Sequence, residues 1–179
     1  MNVSELILLT LAHLNEDNDE ATQSEYREKL LAHFNQAYME IMRCKHRLAT
    51  SGEVTLADGK FALSSLSKKC IKIDRVETLS GAPLFFSVNA EGVATVLSDE
   101  EKVCVYYRYL PDALVENGDE PLFPEDQHAC LADWATYRVL GTGSRARQLR
   151  GDLFYANYLR TLARIPPAGE QAEKIANKY

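Results

Sequence analysis

No apolar run in the chain approaches the ~20 residues of a membrane-spanning helix, so no membrane-spanning role is expected. The first apolar stretch carries Glu5 and no basic segment before it, so a signal peptide is not expected either. Cysteine is sparse: Cys44, Cys70, Cys104 and Cys130 lie far apart and none belongs to a C-x-x-C unit. Free thiols in a reducing compartment are expected, not disulfides or a thiolate metal site. The four histidines, His13, His33, His46 and His128, include no H-x-x-x-H pair. His33 and His46 are thirteen residues apart, roughly 20 Å along one helix, and His128 and Cys130 at i and i+2 face apart. No metal ligand set is expected. Gly141-Thr142-Gly143-Ser144 precedes a helix, but no lysine follows as a phosphate loop requires, so a helix–helix turn is expected there. The EF-hand pattern is missing as well, and no cofactor is expected. Basic excess is absent: 20 Lys and Arg against 26 Asp and Glu leave a net charge of −6. That balance argues against a conventional DNA- or membrane-surface-binding module.

What is present is a clear change of hydrophobic period. Val3, Leu6, Ile7, Leu11 and Leu14 lie on one helical face, and Asn2 with Glu5 fits a capping box, so a helix is expected over 3–15. The acidic run Asn15–Glu20 predicts a loop. Thr22 with Glu25 predicts a second capping box, and Tyr26, Leu30, Phe34, Ala37, Tyr38, Ile41, Cys44 and Leu48 extend a helix over 22–50, ended by Ser51-Gly52. A loop this short predicts an antiparallel helix pair.

From 53 to 110 the period is two. Five or six short strands are expected, with turns at Asp58-Gly59, Ser80-Gly81 and Glu91-Gly92, forming a small antiparallel meander or barrel-like sheet. Ile71 and Ile73 should share one face, as should Val103, Val105, Tyr107 and Tyr109. Helix returns over 124–141, with Pro124 at the first helical position, Glu125 and Asp126 near the positive dipole end, and Ala129, Ala132, Ala135 and Val139 as its stripe. The last helix, 144–165, is capped by Ser144 and should bury Ala146, Leu149, Leu153, Ala156, Leu159 and Ala163, with a local bend at Gly151. The fold class is therefore α+β: a helical pair, a β-insertion and a second helical pair in one domain over 1–165. A polar C-terminal tail, 166–179, has too few apolar groups to fold alone.

No arrangement of side chains on this map predicts catalysis. Asp112, Glu116, Asp119, Glu120, Glu125 and Asp126 gather around the loop before the third helix, where they read as a charged exposed segment. Tyr106, Tyr107 and Tyr109 flank Arg108 in the manner of a single-strand nucleic-acid platform, but no basic surface surrounds them and sheet packing is the expected role. The charge distribution says more than the total. Between Tyr109 and Tyr137 there are seven acids and no Lys or Arg; from Arg138 to Arg164 there are six arginines and one acid, Asp152. Either adjacent helices pair internally, or the acidic face of one subunit meets the basic face of the next. On the second reading Arg145, Arg147 and Arg150 contact Asp119, Glu120, Glu125 and Asp126 of a neighbour.

Three features together resemble the bacteriophage or prophage head–tail connector family, also called adaptor or head-completion proteins. They are the helix-pair, β-insertion, helix-pair order, the strand VCVYYRYLP with the acidic loop and PLFPEDQHACLADWATYRVLG, and the closing helix RARQLRGDLFYANYLRTL. The resemblance implies a non-enzymatic virion assembly protein at the capsid–tail junction, present in the host cytoplasm during assembly. It implies a ring of this chain, commonly of twelve subunits, below the portal protein and next to a tail or stopper protein, with double-stranded DNA passing through. A lumen poor in Lys and Arg would avoid gripping phosphates. It also implies that the polar Lys60–Lys69 run is a loop entering the sheet and that the tail orders on the portal or the next ring. The competing reading from another class is a cytosolic ligand-binding or regulatory module that uses the β-region as a pocket. A hydrolase built on the unplaced carboxylates ranks behind it.

Overall fold

A computed structural model describes residues 1–45 and 48–165. Its α+β order agrees with the expectation: helices at both ends and strands between. The expected C-terminal tail and His46 lie outside the described residues. The chain divides into two units, Met1–His46 with Asp112–Tyr179, and Arg47–Pro111.

The helical unit contains α1 (Val3–Leu14), α2 (Glu20–Cys44), α3 (Ala129–Leu140) and α4 (Arg145–Arg164). The capping box of α1 is complete: Glu5 N–H donates to Asn2 Oδ1 at 3.0 Å and Asn2 N–H to Glu5 Oε2 at 2.9 Å. Asn15 ends the helix in the left-handed region at φ 60°, a conformation that asparagine tolerates. The second helix starts earlier than its Thr22–Glu25 signal implied. Asp19 is the cap, its carboxylate accepting the Thr22 N–H at 2.7 Å, because an ionised acceptor makes the stronger bond at a helix N-terminus. It also stops at Cys44 rather than 50, and Ser51-Gly52 sits inside a strand.

The third helix begins at Ala129, not at Pro124; Glu125–Gln127 is a 3₁₀ turn instead. The cause is local. The buried His128 imidazole engages the Phe123 carbonyl at 2.7 Å through Nε2 and the Met1 backbone at 3.0 Å through Nδ1, which fixes the turn before the helix can start. Helix α3 packs on all three other helices and is the hub of this unit. Its buried residues are Cys130, Leu131, Ala132, Ala135, Thr136, Val139 and Leu140.

The β-unit holds seven strands rather than five or six: β1 (Leu48–Thr55), β2 (Lys60–Ala62), β3 (Cys70–Thr78), β4 (Pro83–Leu84), β5 (Phe86–Val88), β6 (Val93–Val96) and β7 (Lys102–Tyr109). They are not a meander. One antiparallel sheet runs β1-β7-β3-β4 and the other β2-β6-β5. The last strand therefore sits between the first and third, with Val54 opposite Val103 and Val76 opposite Val105. The Asp58-Gly59 turn is present, both residues at positive φ (53° and 70°) as a two-residue hairpin turn demands. Lys60–Lys69 is not one loop: it contributes β2 and a 3₁₀ turn at Leu63–Ser65.

The alternation of β7 gives the correct faces, since Val103, Val105 and Tyr107 are buried with Val54, Ile73, Val76, Phe61 and Val96 in one core shared by both sheets. In β3 it fails. Two register shifts, between Cys70 and Lys72 and between Ile73 and Arg75, turn Ile71 out to 46% exposure while Ile73 is buried. A bulge adds a residue without advancing the pairing, so period two breaks there.

Candidate assembly surface

Helix α4 departs most from expectation. Of its twenty residues only Gly151 and Tyr158 are buried. The stripe expected to face the core faces outward: Leu149, Leu153 and Leu159 are 52%, 67% and 43% exposed, and Ala146, Ala156 and Ala163 are exposed with them. A second apolar stripe, on the opposite side of the same helix, makes the packing. Tyr158 lies 5.1 Å from the Trp134 ring of α3, and Tyr155 stacks on Tyr137 at 4.6 Å. Phe154 lies 4.7 Å from the His13 ring of α1.

Gly151 does not mark a bend in an outward face. It is the point of closest approach, where an added Cβ would come within 3.2 Å of Leu140 Cβ and 3.6 Å of the Tyr137 carbonyl. Ser144 occupies the cap position without a side-chain capping bond; Gln148 serves the turn instead, donating to the Gly143 carbonyl at 3.2 Å.

The three arginines at the start of α4 have different surroundings. Arg150 donates through Nη2 to the His13 carbonyl at the end of α1, where a cation meets the negative end of the dipole. Arg147 is exposed but close enough to Tyr26 of α2 to act electrostatically on its hydroxyl. Arg145 is exposed, and one helical turn arithmetic of 100° per residue places it on the leucine side, as it places Arg160. Arg160 was not among the residues singled out by sequence. The leucine stripe that points to it reads from the sequence as core-facing.

The acidic segment is rigidly mounted. Its backbone supplies carbonyls to the unpaired N-terminal donors of α1: Val3 N–H to Asp119 at 3.0 Å and Ser4 N–H to Asn117 at 3.1 Å. Asn35 bonds both backbone groups of Leu114 at 2.8 Å, and Arg27 reaches the Val115 carbonyl at 2.8 Å. The Asp119 carboxylate accepts the Val115 and Glu116 N–H groups at 2.7 and 2.8 Å, which holds its carboxyl below the usual carboxylate range. Glu125 pairs with the N-terminal ammonium at 3.2 Å. Glu116, Glu120 and Asp126 are exposed, beside Val115 and Leu122, each 56% exposed. Among the described residues no ion pair joins an α4 arginine to Asp119, Glu120, Glu125 or Asp126.

Other titratable groups are shifted mainly by burial. Burial, and secondarily the Asp133 charge, pushes the Cys130 thiol up to about 12. Burial lifts the Asp133 carboxyl to about 6 and lowers His13, whose Nδ1 is 3.9 Å from it and which Arg150 also opposes. The tyrosines of β7 do not form one platform. Tyr107 is in the core with its hydroxyl 3.1 Å from Ser67 Oγ, whereas Tyr106 is on the other face under the Arg75 guanidinium at 3.8 Å. Beside it a shallow cleft of about 370 Å³ is lined by Thr50, Ser51, Asp74, Arg75, Tyr106 and Arg108, where Arg108 is already paired with Asp74 at 2.6 Å. Among the described residues no group of three or more His, Cys, Asp or Glu is placed to hold a metal ion, and no helix is long and apolar enough to cross a membrane. Compared with protein-family models and with curated proteins, the chain matches none.

Proposed function

We propose that this chain is a virion assembly protein, a head–tail connector or adaptor that forms a ring below a portal through which DNA passes. The observation that carries the reading is the outward face of α4: a helix anchored on one side by aromatics that presents a second full apolar stripe to solvent. Exposed leucines gathered on one helix face and rimmed by charge mark surfaces that another chain covers. The segregated charges supply direction, acids on the 112–126 segment and arginines on α4, as a head-to-tail contact between subunits requires. Portal and tail or stopper proteins are its proposed partners, and the capsid–tail junction its location.

Electron microscopy of the chain alone and mixed with the portal encoded in the same genome tests the reading. A ring, free or seated on the portal, is expected. No ring in either sample and no portal binding would refute it. The ligand-pocket alternative draws little support from the sheet-face cleft, because Arg108 is paired with Asp74 and Arg75 with Glu77.

A further inference from the structure

The ring reading leaves open which surface covers the α4 leucines. Two α4 helices laid antiparallel against each other would bring the Arg145 end of one to the Arg160–Arg164 end of the other. Asp152 is the only acid in the helix to offset them. Like charges at both ends of a contact disfavour it and act against self-matching of this face. A fitting surface must be acidic and carry apolar groups of its own. The 115–126 segment meets both conditions: Val115 and Leu122 stand exposed among Glu116 and Glu120, and no Lys or Arg lies between Tyr109 and Tyr137.

We propose that the outward face of α4 docks on the 115–126 segment of a second copy of this chain. Leu149, Leu153 and Leu159 meet Val115 and Leu122, and Arg145 and Arg160 meet Glu116 and Glu120. The head-to-tail sense rests on the ring reading above. Both surfaces are preformed, α4 by its aromatic contacts with α3 and the acidic segment by Asn35, Arg27 and the α1 backbone. Little ordering cost therefore opposes the contact. The two patches are different surfaces of one chain, so each copy offers one of each and the contact propagates until rotation closes it. Arg150 takes no part, since the His13 carbonyl holds it. Arg160 takes the larger role instead.

The test uses two variants of the full chain in sedimentation velocity across a concentration series. Leu153→Glu blocks the α4 face; Glu116→Lys with Glu120→Lys blocks the acidic segment. All three side chains are exposed, and Arg160→Glu provides a second α4 block should Leu153→Glu fail to fold. Wild type is expected to self-associate, and each block to weaken association roughly tenfold or more. Mixing the two blocked chains should give a 1:1 dimer and nothing larger, because one intact patch remains on each.

Wild-type association that both blocks leave unchanged overturns this interface while the ring reading stands. Two blocked chains that stay monomeric when mixed overturn the pairing of these two patches. A wild-type chain that remains monomeric at every concentration overturns self-docking, and the ring reading is then decided separately by imaging with the portal.

Discussion

Helices α3 and α4 both read as amphipathic, yet they resolve in opposite ways. The alanine stripe of α3 goes inward and seven of its twelve residues are buried; the leucine stripe of α4 goes outward and two of twenty are buried. Small side chains on α3 let three helices approach it. Helix α4 has apolar residues on two sides, and only one side can reach α3. Gly151 decides which: it permits a close approach that the leucine side lacks, and Tyr155 and Tyr158 then fill the space around Trp134 and Tyr137 while Phe154 meets His13 of α1. Hydrophobicity alone does not choose a face; the shape of the available partner does.

Substitutions on α4 sharpen that contrast. Tyr158→Ala should destabilise the chain most, by about 3–5 kcal/mol, since it removes a fully buried aromatic from the α3–α4 seam. Urea denaturation would measure it. Tyr158→Phe in the same assay should be neutral or slightly stabilising, because the buried hydroxyl has no hydrogen-bond partner among the described residues.

Gly151→Ala comes next. At an open helical site the change would gain up to about 1 kcal/mol of helix propensity. Here the Cβ meets the buried Leu140 at 3.2 Å, so a net loss of about 1 kcal/mol is expected in thermal or urea unfolding. A gain would mean that the seam has slack and that Gly151 does not select the inner face.

The Asp133 carboxyl probes the neighbouring α1–α3 contact through pH, where it faces His13 at 3.9 Å. Its folded value, raised by burial from 3.8 to about 6, means the folded chain keeps this proton to higher pH than the unfolded chain does. The stability from that proton is present below the unfolded value and is lost as pH rises through the folded one. Asp133→Asn should therefore raise stability at neutral pH by about 1 kcal/mol, reduced from the full linkage because the carboxylate keeps some contact with solvent and loses its neighbour His13 as a partner. The gain should vanish in acid. His13 slopes the other way: its lowered value gives stability that is lost as pH falls, and that slope should remain in the variant. Denaturant unfolding across the acid-to-neutral range separates the two.

Leu153→Ala should shift monomer stability least, within about 0.5 kcal/mol, since the side chain is 67% exposed. A large loss would place the leucine stripe back in the core and remove the basis for the assembly reading.

The β-unit teaches a related lesson. Alternation in β7 was legible because that strand pairs in register on the β1 side throughout. In β3 it was not, because two bulges depend on pairing with β7, a partner some thirty residues away in sequence. The candidate site was legible in part. The acidic segment and the arginines of α4 stood out as separated charges, but Arg150 turned out to anchor α1 and Arg160 emerged with the outward leucines. A charge pattern has sign and spacing and no direction.

By itself the sequence determined the α+β order, the capped start of α1, the positive-φ hairpin at Asp58-Gly59 and the separation of charges. Each depends on a few neighbouring residues. Only the tertiary structure decided that β7 lies between β1 and β3, that α3 starts after a turn pinned by His128, and that α4 faces its aromatics inward and its leucines out. Those outcomes depend on which surfaces compete for the same partner, and that competition is settled across the whole fold.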